Sequence, residues 1–353
     1  MQTDVVIIGG GLCGLAIAAE LARRGRSFQL LEARDRVGGR ILTVHGSQGS
    51  FDLGPAWFWP GQPRMQAAVA RLGLRHFTQY EAGAVSFEDE RGGVERGRGF
   101  AAMHGAYRLD GGLSALTDAL AADIPSDRIR ASTPVTGLTR TDQGVKVNTQ
   151  AGQTMTARQV VLALPPRIAS TLAFRPALPA DTQQAMAGIA TWMAGQAKAV
   201  AIYDRPFWRQ AGLSDDAISR RGPMVEIHDA STADGQGAAL FGFVGLPPRA
   251  RDDAPALRDG VIAQLTRIFG PQAADPLAVH VKDWAFDPFT ATPLDQQPLM
   301  AHPRYGLPAS MSNLWDDALI FSGTETAPQF GGYLEGALEA AEGALTLIAA
   351  EKV

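Results

Sequence analysis

The first forty residues alternate between apolar runs and a helix-like segment. Residues 5–8 form an uninterrupted apolar run, which predicts a strand that is buried on both faces. Residues 12–22 carry Leu, Ile and Ala with no helix breaker before Gly25, so we expect a helix that ends there. A second apolar run follows at residues 28–31. This order predicts two parallel strands joined by a helix.

The same pattern predicts further elements along the chain. Met65, Val69 and Leu72 recur at helical spacing and predict an amphipathic helix, while Pro176 and Pro179 indicate a linker into a second domain. The predicted helices span residues 62–73, 113–122 and 256–269, and a last one runs from residues 331–332 to about residue 350. The predicted strands span residues 84–87, 200–203, 240–244, 279–284 and 318–321, and residues 129–164 predict a β-meander that stops at Pro165 and Pro166.

Length, charge and cysteine content narrow the class of protein. A chain of 353 residues is too long for one compact core, so two intertwined domains are expected. The net charge of −4 gives no electrostatic footprint for nucleic acid. The first strand begins by residue 4 and no apolar run approaches a membrane span, so we expect a cytoplasmic protein without a membrane partner. Cys13 is the single cysteine and the six histidines show no paired spacing, so no disulfide framework or metal site is expected.

Three glycines follow the first apolar run at the G-x-G-x-x-G spacing. Gly9 permits a tight turn, Gly11 permits close approach of a pyrophosphate, and Gly14 permits close packing of the helix on the strand. The helix N-terminus offers free N–H groups to the phosphates. Glu32 ends the second run, where an acid accepts hydrogen bonds from ribose hydroxyls and disfavours the 2′-phosphate of NADP. The pattern predicts a dinucleotide site and leaves NAD and FAD open.

Two later segments carry further signals. Residues 51–61 hold two tryptophans and a phenylalanine between glycines and prolines, which predicts a rigid aromatic loop. This loop either packs on the core or lies against an aromatic ring system. Gly331 and Gly332 precede the last predicted helix, so a second helix N-terminus, which stabilises anions, is expected near the other end of the chain.

Several motifs together resemble the flavin-dependent amine oxidase (monoamine oxidase-like) family. The opening and closing motifs are specific for this superfamily and less specific for amine substrates. They are residues 31–40 (LEARDRVGGR), 54–57 (GPAW), 321–326 (FSGTET) and 332–337 (GYLEGA), and residues 164–166 and 198–209 fit the pattern as well. The resemblance therefore spans nearly the whole chain.

The resemblance implies an α/β fold with a discontinuous, Rossmann-like FAD-binding domain of the amine-oxidase type. This domain comprises residues 1–60, 105–175 and 285–353. A smaller α+β substrate domain with a mixed sheet comprises residues 61–104 and 176–284. The interval between the aromatic loop and residue 107 is shorter than in most of the family. The site is therefore expected to be more open, or closed by the second subunit of a homodimer.

The resemblance also implies FAD in an extended conformation. Glu32 would hold the adenosine ribose, Val135 would lie near the adenine, and Glu325 would lie near the ribityl chain and pyrophosphate. Arg34 and Arg40 would lie on the pyrophosphate and flavin side; their alternative role is surface pairing with an acidic residue. The second helix N-terminus would stabilise the anionic reduced flavin. The implied cofactor-binding residues are Gly9, Gly11, Cys13, Gly14, Glu32, Ala33, Arg34, Gly39, Arg40, Gly54, Pro55, Ala56, Trp57, Val135, Gly323, Glu325, Gly332, Tyr333 and Leu334.

In the reaction that the resemblance implies, hydride passes from the α-carbon of a neutral amine to flavin N5. The imine hydrolyses to an aldehyde or ketone, and O2 reoxidises the flavin to give H2O2. Lys198 matches the lysine that holds a water at N5, and Tyr333 matches one of two tyrosines that flank the substrate nitrogen, so these two are the expected catalytic residues. The second tyrosine falls near Leu294. The expected substrate-binding residues, which would replace it, are Trp57, Trp192, Phe289 and Phe330.

Two features of the sequence limit what the resemblance implies about the flavin linkage and the substrate. Many relatives attach the flavin through a cysteine in the region that matches residues 284–299, which holds none here, so FAD is expected to be non-covalent. A desaturase or porphyrinogen-type oxidase shares the terminal motifs and would act on a non-amine substrate. A flavin-binding protein without amine oxidase activity is the third alternative, and it ranks last because Lys198 and Tyr333 are both present.

Overall fold

In the computed structural model, which describes residues 2–299 and 301–349, two large β-sheets form the frame of the molecule. The strands are β1 (Gln2–Ile8), β2 (Phe28–Leu31), β3 (Thr43–Gly46), β4 (Gly49–Asp52), β5 (His76–Thr78), β6 (Ala84–Glu88), β7 (Val94–Arg96), β8 (Tyr107–Leu109), β9 (Ile129–Arg130), β10 (Val135–Thr141), β11 (Gly144–Thr149), β12 (Thr154–Ala163), β13 (Ala173–Arg175), β14 (Ala197–Tyr203), β15 (Leu213–Ser219), β16 (Met224–Asp229), β17 (Ala238–Val244), β18 (Ala278–Asp283) and β19 (Leu319–Ser322). The helices are α1 (Leu12–Arg23), α2 (Pro63–Arg71), α3 (Ser114–Ala122), α4 (Pro166–Ala169), α5 (Ala180–Gly188), α6 (Phe207–Gln210), α7 (Ala254–Phe269) and α8 (Leu334–Ala349).

The first sheet contains the predicted strand–helix–strand unit. Its strand order is β13–β10–β11–β12–β1–β2–β9, and β19 pairs with the end of β12. Val5 of β1 pairs in parallel with Phe28 of β2 on one side and with Gln159 of β12 on the other. The last residues of β12 pair in parallel with β19. The carboxyl ends of β2, β1, β12 and β19 therefore meet at one edge of the sheet.

Residues 5–8 of β1 are buried on both faces of the sheet, which explains their uninterrupted apolar sequence. Val5 and Ile7 pack on one face in a cluster with Leu15 of α1. Val6 packs on the opposite face in a cluster with Leu138 of β10. Because successive side chains of a strand point to opposite faces, a strand covered on both sides favours apolar residues at every position.

The second sheet has the strand order β18–β14–β17–β16–β15–β6–β7. β15 and β6 pair in parallel while the remaining neighbours pair antiparallel, so the sheet is mixed, as predicted. Ala199 of β14 faces α7, and Val200 faces a cluster that contains Trp57 of the aromatic loop. Because side chains alternate along a strand, Lys198 points to the same side as Val200. This register directs the lysine into the space between the two sheets.

The chain crosses between the two sheets more often than two simple domains would require. The second sheet takes its strands from residues 84–96 and 197–283. Val69 of α2 packs in the same apolar cluster as α1 and α8, and Leu178 and Met186 pack against the first sheet. The segment at Pro176–Pro179 thus packs on the first sheet through Leu178, and the domain boundaries stay a prediction.

The predicted elements are present with bounds shifted by a few residues, and residue 350, the expected end of the last helix, lies outside the described residues. The sequence pattern does not predict the β3–β4 hairpin, strands β15 and β16, or helices α4, α5 and α6. Over residues 2–299 and 301–349, no helix combines the length and the apolar character needed to cross a bilayer.

Glu335, in the first turn of α8, holds the start of α2. Its buried carboxylate accepts hydrogen bonds from the backbone N–H groups of Arg64 (3.1 Å) and Met65 (2.8 Å) and from the Arg64 guanidinium (3.2 Å). No side chain of α2 caps its own N-terminus in the described structure. Glu335 therefore supplies from another helix the acceptor that the first turn of α2 needs.

Replacement of Glu335 by Ala is expected to lower the free energy of unfolding by about 1–3 kcal/mol, because two backbone N–H groups lose their acceptor. Urea unfolding measures this loss. Glu342→Ala is the matched control, since it removes the exposed partner of the same Arg64 and should change the free energy of unfolding by less than about 0.5 kcal/mol. Equal losses in the two variants would contradict the capping role.

Candidate active site

A cavity of about 380 Å³ lies where the parallel strands of the first sheet end. Its walls come from the turn after β1, the start of α1, the segment after β2, the aromatic loop, the turn after β12, strands β14 and β17 and the start of α8. The cavity therefore lies between the two sheets. In open α/β sheets, ligands bind at such a carboxyl edge.

The three predicted glycines are needed for different structural reasons. Gly9 has a φ of +110°, and a Cβ on Gly14 would lie 1.9 Å from the Gly9 carbonyl oxygen, so both are required by the tight turn and the close helix. A Cβ on Gly11 would meet nothing nearer than the Gly39 Cα, 4.0 Å away. Packing does not require Gly11, and its missing side chain leaves backbone open to the cavity, as a pyrophosphate needs.

The start of α1 offers an anion site at this end of the cavity. Within the described chain, α1 begins at Leu12 with no capping side chain and no acidic residue in its first turn. The first helical hydrogen bond runs from the Leu15 N–H to the Gly11 carbonyl. The N–H groups before it have no helical acceptor and carry the positive end of the helix dipole. Leu12 and Cys13 line the cavity, so these groups border it.

Glu32 lies at the end of β2 beside these glycines. Its side chain is buried and accepts hydrogen bonds from the Gly10 N–H (2.7 Å) and the Arg34 N–H (2.8 Å). An ionised carboxylate has about four acceptor sites, so two remain after these bonds. Because Glu32 lines the cavity, these remaining sites fit ribose hydroxyls.

The two predicted arginines are held by acidic partners inside the protein rather than on its surface. Arg34 donates to Asp287 (2.5 Å) and Thr290 (2.9 Å). Arg40 forms a two-pronged pair with Glu325, at 2.6 and 3.1 Å. Glu325 is fully buried and lies behind the cavity wall, whereas both arginines line it. Glu325 therefore acts on the cavity through Arg40.

The aromatic loop forms the floor of the cavity. A Cβ on Gly54 would lie 2.1 Å from the Arg40 carbonyl oxygen, so the loop packs directly on the segment after β2. Trp57 donates to Gln79 (2.8 Å) and meets Phe241 edge-on at 5.2 Å. Trp57 also lines the cavity. The loop thus both packs on the core and presents a ring to the site.

Lys198 enters the cavity from β14, a central strand of the second sheet. Its side chain is buried, its Nζ donates to the Gly54 carbonyl (2.5 Å), and Nζ lies 5.2 Å from the centre of the Phe243 ring. Burial lowers the pKa of Lys198 to about 8, and the Asp52 carboxylate offsets part of this effect. A solvent-facing strand-edge lysine is therefore the wrong description, and two N–H groups remain for a ligand in the cavity.

Tyr333 lines the cavity just before the start of α8. Its ring stacks on His302 with centroids 5.0 Å apart at 17°, and His302 meets Trp192 edge-on at 4.9 Å. Gly332 permits this approach, since a Cβ there would lie 2.7 Å from His302 Nε2. Leu294 is 58% exposed and absent from the described lining. Leu294 therefore does not contribute to the cavity wall, and the ring that stacks on Tyr333 is that of His302, which the sequence analysis did not name.

Five predicted residues do not line the cavity. Gly14 and Glu325 support lining residues from behind, and Ala33 lies between two of them. Val135 packs with the cluster on the far face of the first sheet. The backbone carbonyl of Phe330 stands against α8, where it would lie 2.0 Å from a Cβ on Gly336. The predicted residues that do line it are Gly9, Gly11, Cys13, Glu32, Arg34, Gly39, Arg40, Gly54, Pro55, Ala56, Trp57, Trp192, Lys198, Phe289, Gly323, Gly332, Tyr333 and Leu334.

Sequence reasoning missed several lining residues. Three of them carried a signal, since Trp59 lies in the predicted aromatic loop and Phe243 and Trp284 lie in predicted strands. Nothing in the local sequence distinguishes the others. The missed residues include Trp59, Met103, Met193, Phe243, Trp284 and Thr290.

Cys13 is a packing residue at the start of α1. Its Sγ lies 3.0 Å from Ser322 Oγ, and burial raises the pKa of the thiol to about 12. Because the thiolate is the reactive form, a thiol reagent is expected to modify the native protein slowly and to find one thiol per chain after denaturation. Rapid stoichiometric labelling of the native protein would contradict this placement.

The residues present fit FAD. One end of the cavity offers bare glycine backbone at Gly11, an uncapped helix N-terminus and the buried carboxylate of Glu32. The other end offers flat aromatic surface and a buried lysine, through Trp57, Tyr333 and Lys198. Phosphates and ribose suit the first set, and a large planar ring suits the second.

Comparison with known proteins shows that the similarity to flavin-containing amine oxidases extends over nearly the whole chain. The flavin-containing amine oxidase B of Sus scrofa is 23% identical, and the match covers 97% of this chain and 85% of that protein. The Homo sapiens amine oxidase B is 22% identical with the same coverage. The cyclohexylamine oxidase from Brevibacterium oxydans IH-35A has a TM-score of 0.84 at 22% identity, and a wild-type putrescine oxidase bound to putrescine has 0.81 at 21%, each over 99% of both chains. These solved structures confirm the predicted α/β fold class.

The profile of the family described as flavin containing amine oxidoreductase matches residues 12–99 and 83–344. These ranges include the α1 N-terminus, the aromatic loop, Lys198 and the start of α8, which are the parts that build the cavity. The family predicted from the sequence motifs is therefore confirmed, and with it an oxidoreductase that uses a flavin. The chain belongs to the flavin containing amine oxidoreductase family.

Proposed function

We propose that this protein is an FAD-dependent amine oxidase that uses O2 as electron acceptor. The observation that carries the proposal is one continuous cavity that joins Gly11 and Glu32 at one end to Lys198, Trp57 and Tyr333 at the other. When bound, FAD supplies the two-electron acceptor for oxidation of the carbon–nitrogen bond. In balance, an amine and O2 give an imine and H2O2, and water converts the imine to a carbonyl compound and ammonia or a smaller amine.

The adenosine half of FAD would be held by the first sheet. The α1 N-terminus would bind the pyrophosphate, and Glu32 would accept hydrogen bonds from the ribose. Arg40 lies in the same wall with its charge balanced by Glu325. The pair therefore offers directed N–H groups without a net charge.

Lys198 would hold a water or O2 at the reacting end of the site. Its Nζ is fixed by the Gly54 carbonyl at 2.5 Å, so the remaining N–H groups have a defined direction. Because its protonated form is a cation in an apolar wall, it stabilises negative charge that develops on reduced oxygen.

The aromatic walls would set the protonation state of the substrate. Trp57, Trp192 and Tyr333 line the site, and an ammonium is costly to bury among such rings without a partner. The neutral amine is therefore favoured, which is the form whose lone pair assists oxidation at the α-carbon. No acid–base residue is needed for this step.

Three finer expectations belong to this proposal. FAD would be non-covalent, because the region after β18 holds no cysteine and Cys13 is buried beside Ser322. Precipitation with acid should then release all the flavin into the supernatant, and flavin retained in the pellet would overturn this point. The cytoplasmic location and the homodimer stay predictions.

Anaerobic mixing of the yellow holoprotein with a panel of amines tests the function. At least one amine is expected to bleach the flavin absorbance, and admission of air should restore it with one H2O2 per turnover. Absence of bleaching by every amine in a panel of aliphatic, cyclic and aromatic members would overturn the proposal.

A further inference from the structure

The part of the cavity around Lys198 and Tyr333 has almost entirely apolar walls. Phe243 lies under Lys198 and 6.3 Å from Trp57, and Met103 packs against the cluster that contains Trp57. Among the described lining residues, Glu32 is the one carboxylate, and it lies at the end of β2 beside the start of α1. The side chains that form the apolar walls are Trp57, Trp59, Met103, Trp192, Met193 and Phe243.

The carboxylates that stand next to these walls already have partners. Glu81, behind the Met103 loop, contacts His104 at 2.6 Å and accepts from the Gly105 N–H. Asp52, behind the aromatic loop, accepts from Thr43 and from the Leu113 N–H. Four others are also paired: Asp287 with Arg34 and Lys282, Glu325 with Arg40, Asp295 with Arg167, and Glu226 with His228.

A substrate with a second amino group would bind weakly in this part of the cavity. With its first nitrogen at the reacting end, a distal ammonium would lie among apolar side chains in a wall that also holds the buried Lys198, whose charge has the same sign. An unpaired buried ammonium must shed its proton or be excluded. A terminal methyl group in the same position gains from burial instead.

We propose that the site is specific for hydrophobic monoamines and excludes diamines and polyamines. This inference rests on the proposed amine oxidation and adds the class of amine. Met103 is the specificity-determining position, because its flexible apolar side chain lies in the wall and its neighbour in the chain, His104, already engages Glu81.

Hexylamine and 1,6-diaminohexane form the matched pair that tests the proposal, since they differ by one terminal amino group. The rate of anaerobic bleaching at limiting substrate is expected to be about 100-fold or more faster with hexylamine, because the diamine must bury or lose a second charge. An equal or faster rate with the diamine overturns the monoamine class and leaves amine oxidation intact. Failure of every amine to bleach the flavin overturns both.

A second experiment places the selectivity at Met103. Met103→Glu supplies a carboxylate to the wall, and Met103→Gln has nearly the same size and shape without the charge. The ratio of diamine to monoamine rates is expected to rise about tenfold in Met103→Glu relative to Met103→Gln. An unchanged ratio, with both variants retaining full flavin content, would overturn the assignment of Met103.

Discussion

Replacement of Lys198 by Met is expected to slow the reaction of the reduced enzyme with O2 by about 100-fold, while anaerobic bleaching by an amine changes by less than about threefold. The physical reason is that the buried Nζ is fixed by the Gly54 carbonyl and supplies the positive charge in this apolar wall. Methionine keeps the length and apolar stem of the side chain and removes only that charge. Stopped-flow mixing of the pre-reduced protein with oxygenated buffer measures the oxygen step separately.

The same lysine predicts a pH dependence with a defined sign. Burial lowers the pKa of Lys198 to about 8, with a partial offset by Asp52. The cation is present below this pH and lost above it, so the oxygen step should slow as the pH rises through about 8. In Lys198→Met the oxygen step should be slow and independent of pH in this range.

Lys146→Met is the matched control for these measurements. Lys146 lies exposed on β11 of the first sheet and does not line the cavity. It should leave the oxygen step unchanged. An oxygen step that is equally fast in Lys198→Met and in the natural protein would remove Lys198 from the mechanism.

Replacement of Gly11 by Ala is expected to weaken FAD binding by about 100-fold or more, because the methyl group would stand where the pyrophosphate meets the backbone. The protein itself should tolerate the change. Gly11 has φ −75° and ψ −177°, which Ala adopts readily, and the nearest heavy atom to the added Cβ is 4.0 Å away. The free energy of unfolding of the FAD-free protein should therefore change by less than about 1 kcal/mol.

Two other glycines are controls for this result. Gly343→Ala, in α8, adds a Cβ with no atom within 4 Å; it should keep FAD affinity and raise the free energy of unfolding by about 0.5–1 kcal/mol. Gly14→Ala puts a Cβ 1.9 Å from the Gly9 carbonyl oxygen and should prevent correct folding. Flavin titration and urea unfolding separate the three cases. Unaltered FAD affinity in Gly11→Ala would mean that the phosphates lie elsewhere.

The parts of the fold that could be predicted from the sequence are those in which a residue's environment is determined by its neighbours in the chain. The run at residues 5–8 is apolar because both faces of β1 are covered, and the glycine spacing at Gly9 and Gly14 follows from one tight turn. Glu32 was recognisable because it stands at the end of the second run. In each of these cases, neighbours in the chain determine the environment of the residue.

Strand β15 could not be predicted from its own sequence, because Asp216 and Ser219 are paired with residues that are distant in the chain. It reads LSDDAIS, yet Ser214, Asp216 and Ser219 are buried. Asp216 contacts His228 at 2.5 Å, and Ser219 donates to Glu88 at 2.6 Å. β15 lies between two other strands, and residues on those strands supply hydrogen bonds to its polar side chains. Its sequence therefore shows no alternation of apolar and polar residues.

Site residues that belong to a sequence motif could be predicted. Site residues that lie on irregular loops could not. His302 stacks on Tyr333 from a segment that has no helix or strand, so no local pattern marked it as the neighbouring ring. Met103 reaches the wall from a glycine-rich loop between β7 and β8. Contacts made by irregular segments depend on tertiary packing, which no local pattern records.

Strand β12 has a consequence for the order in which the protein becomes competent during synthesis. One edge of β12 pairs with β1, while the end of its other edge waits for β19. At typical elongation speeds of about 5–20 residues per second, the ribosome needs roughly 8–31 s from the end of β12 to the start of β19. During that interval the nascent chain has an uncovered strand edge and lacks the part of the cofactor site at the start of α8, which exposes it to pairing with other chains.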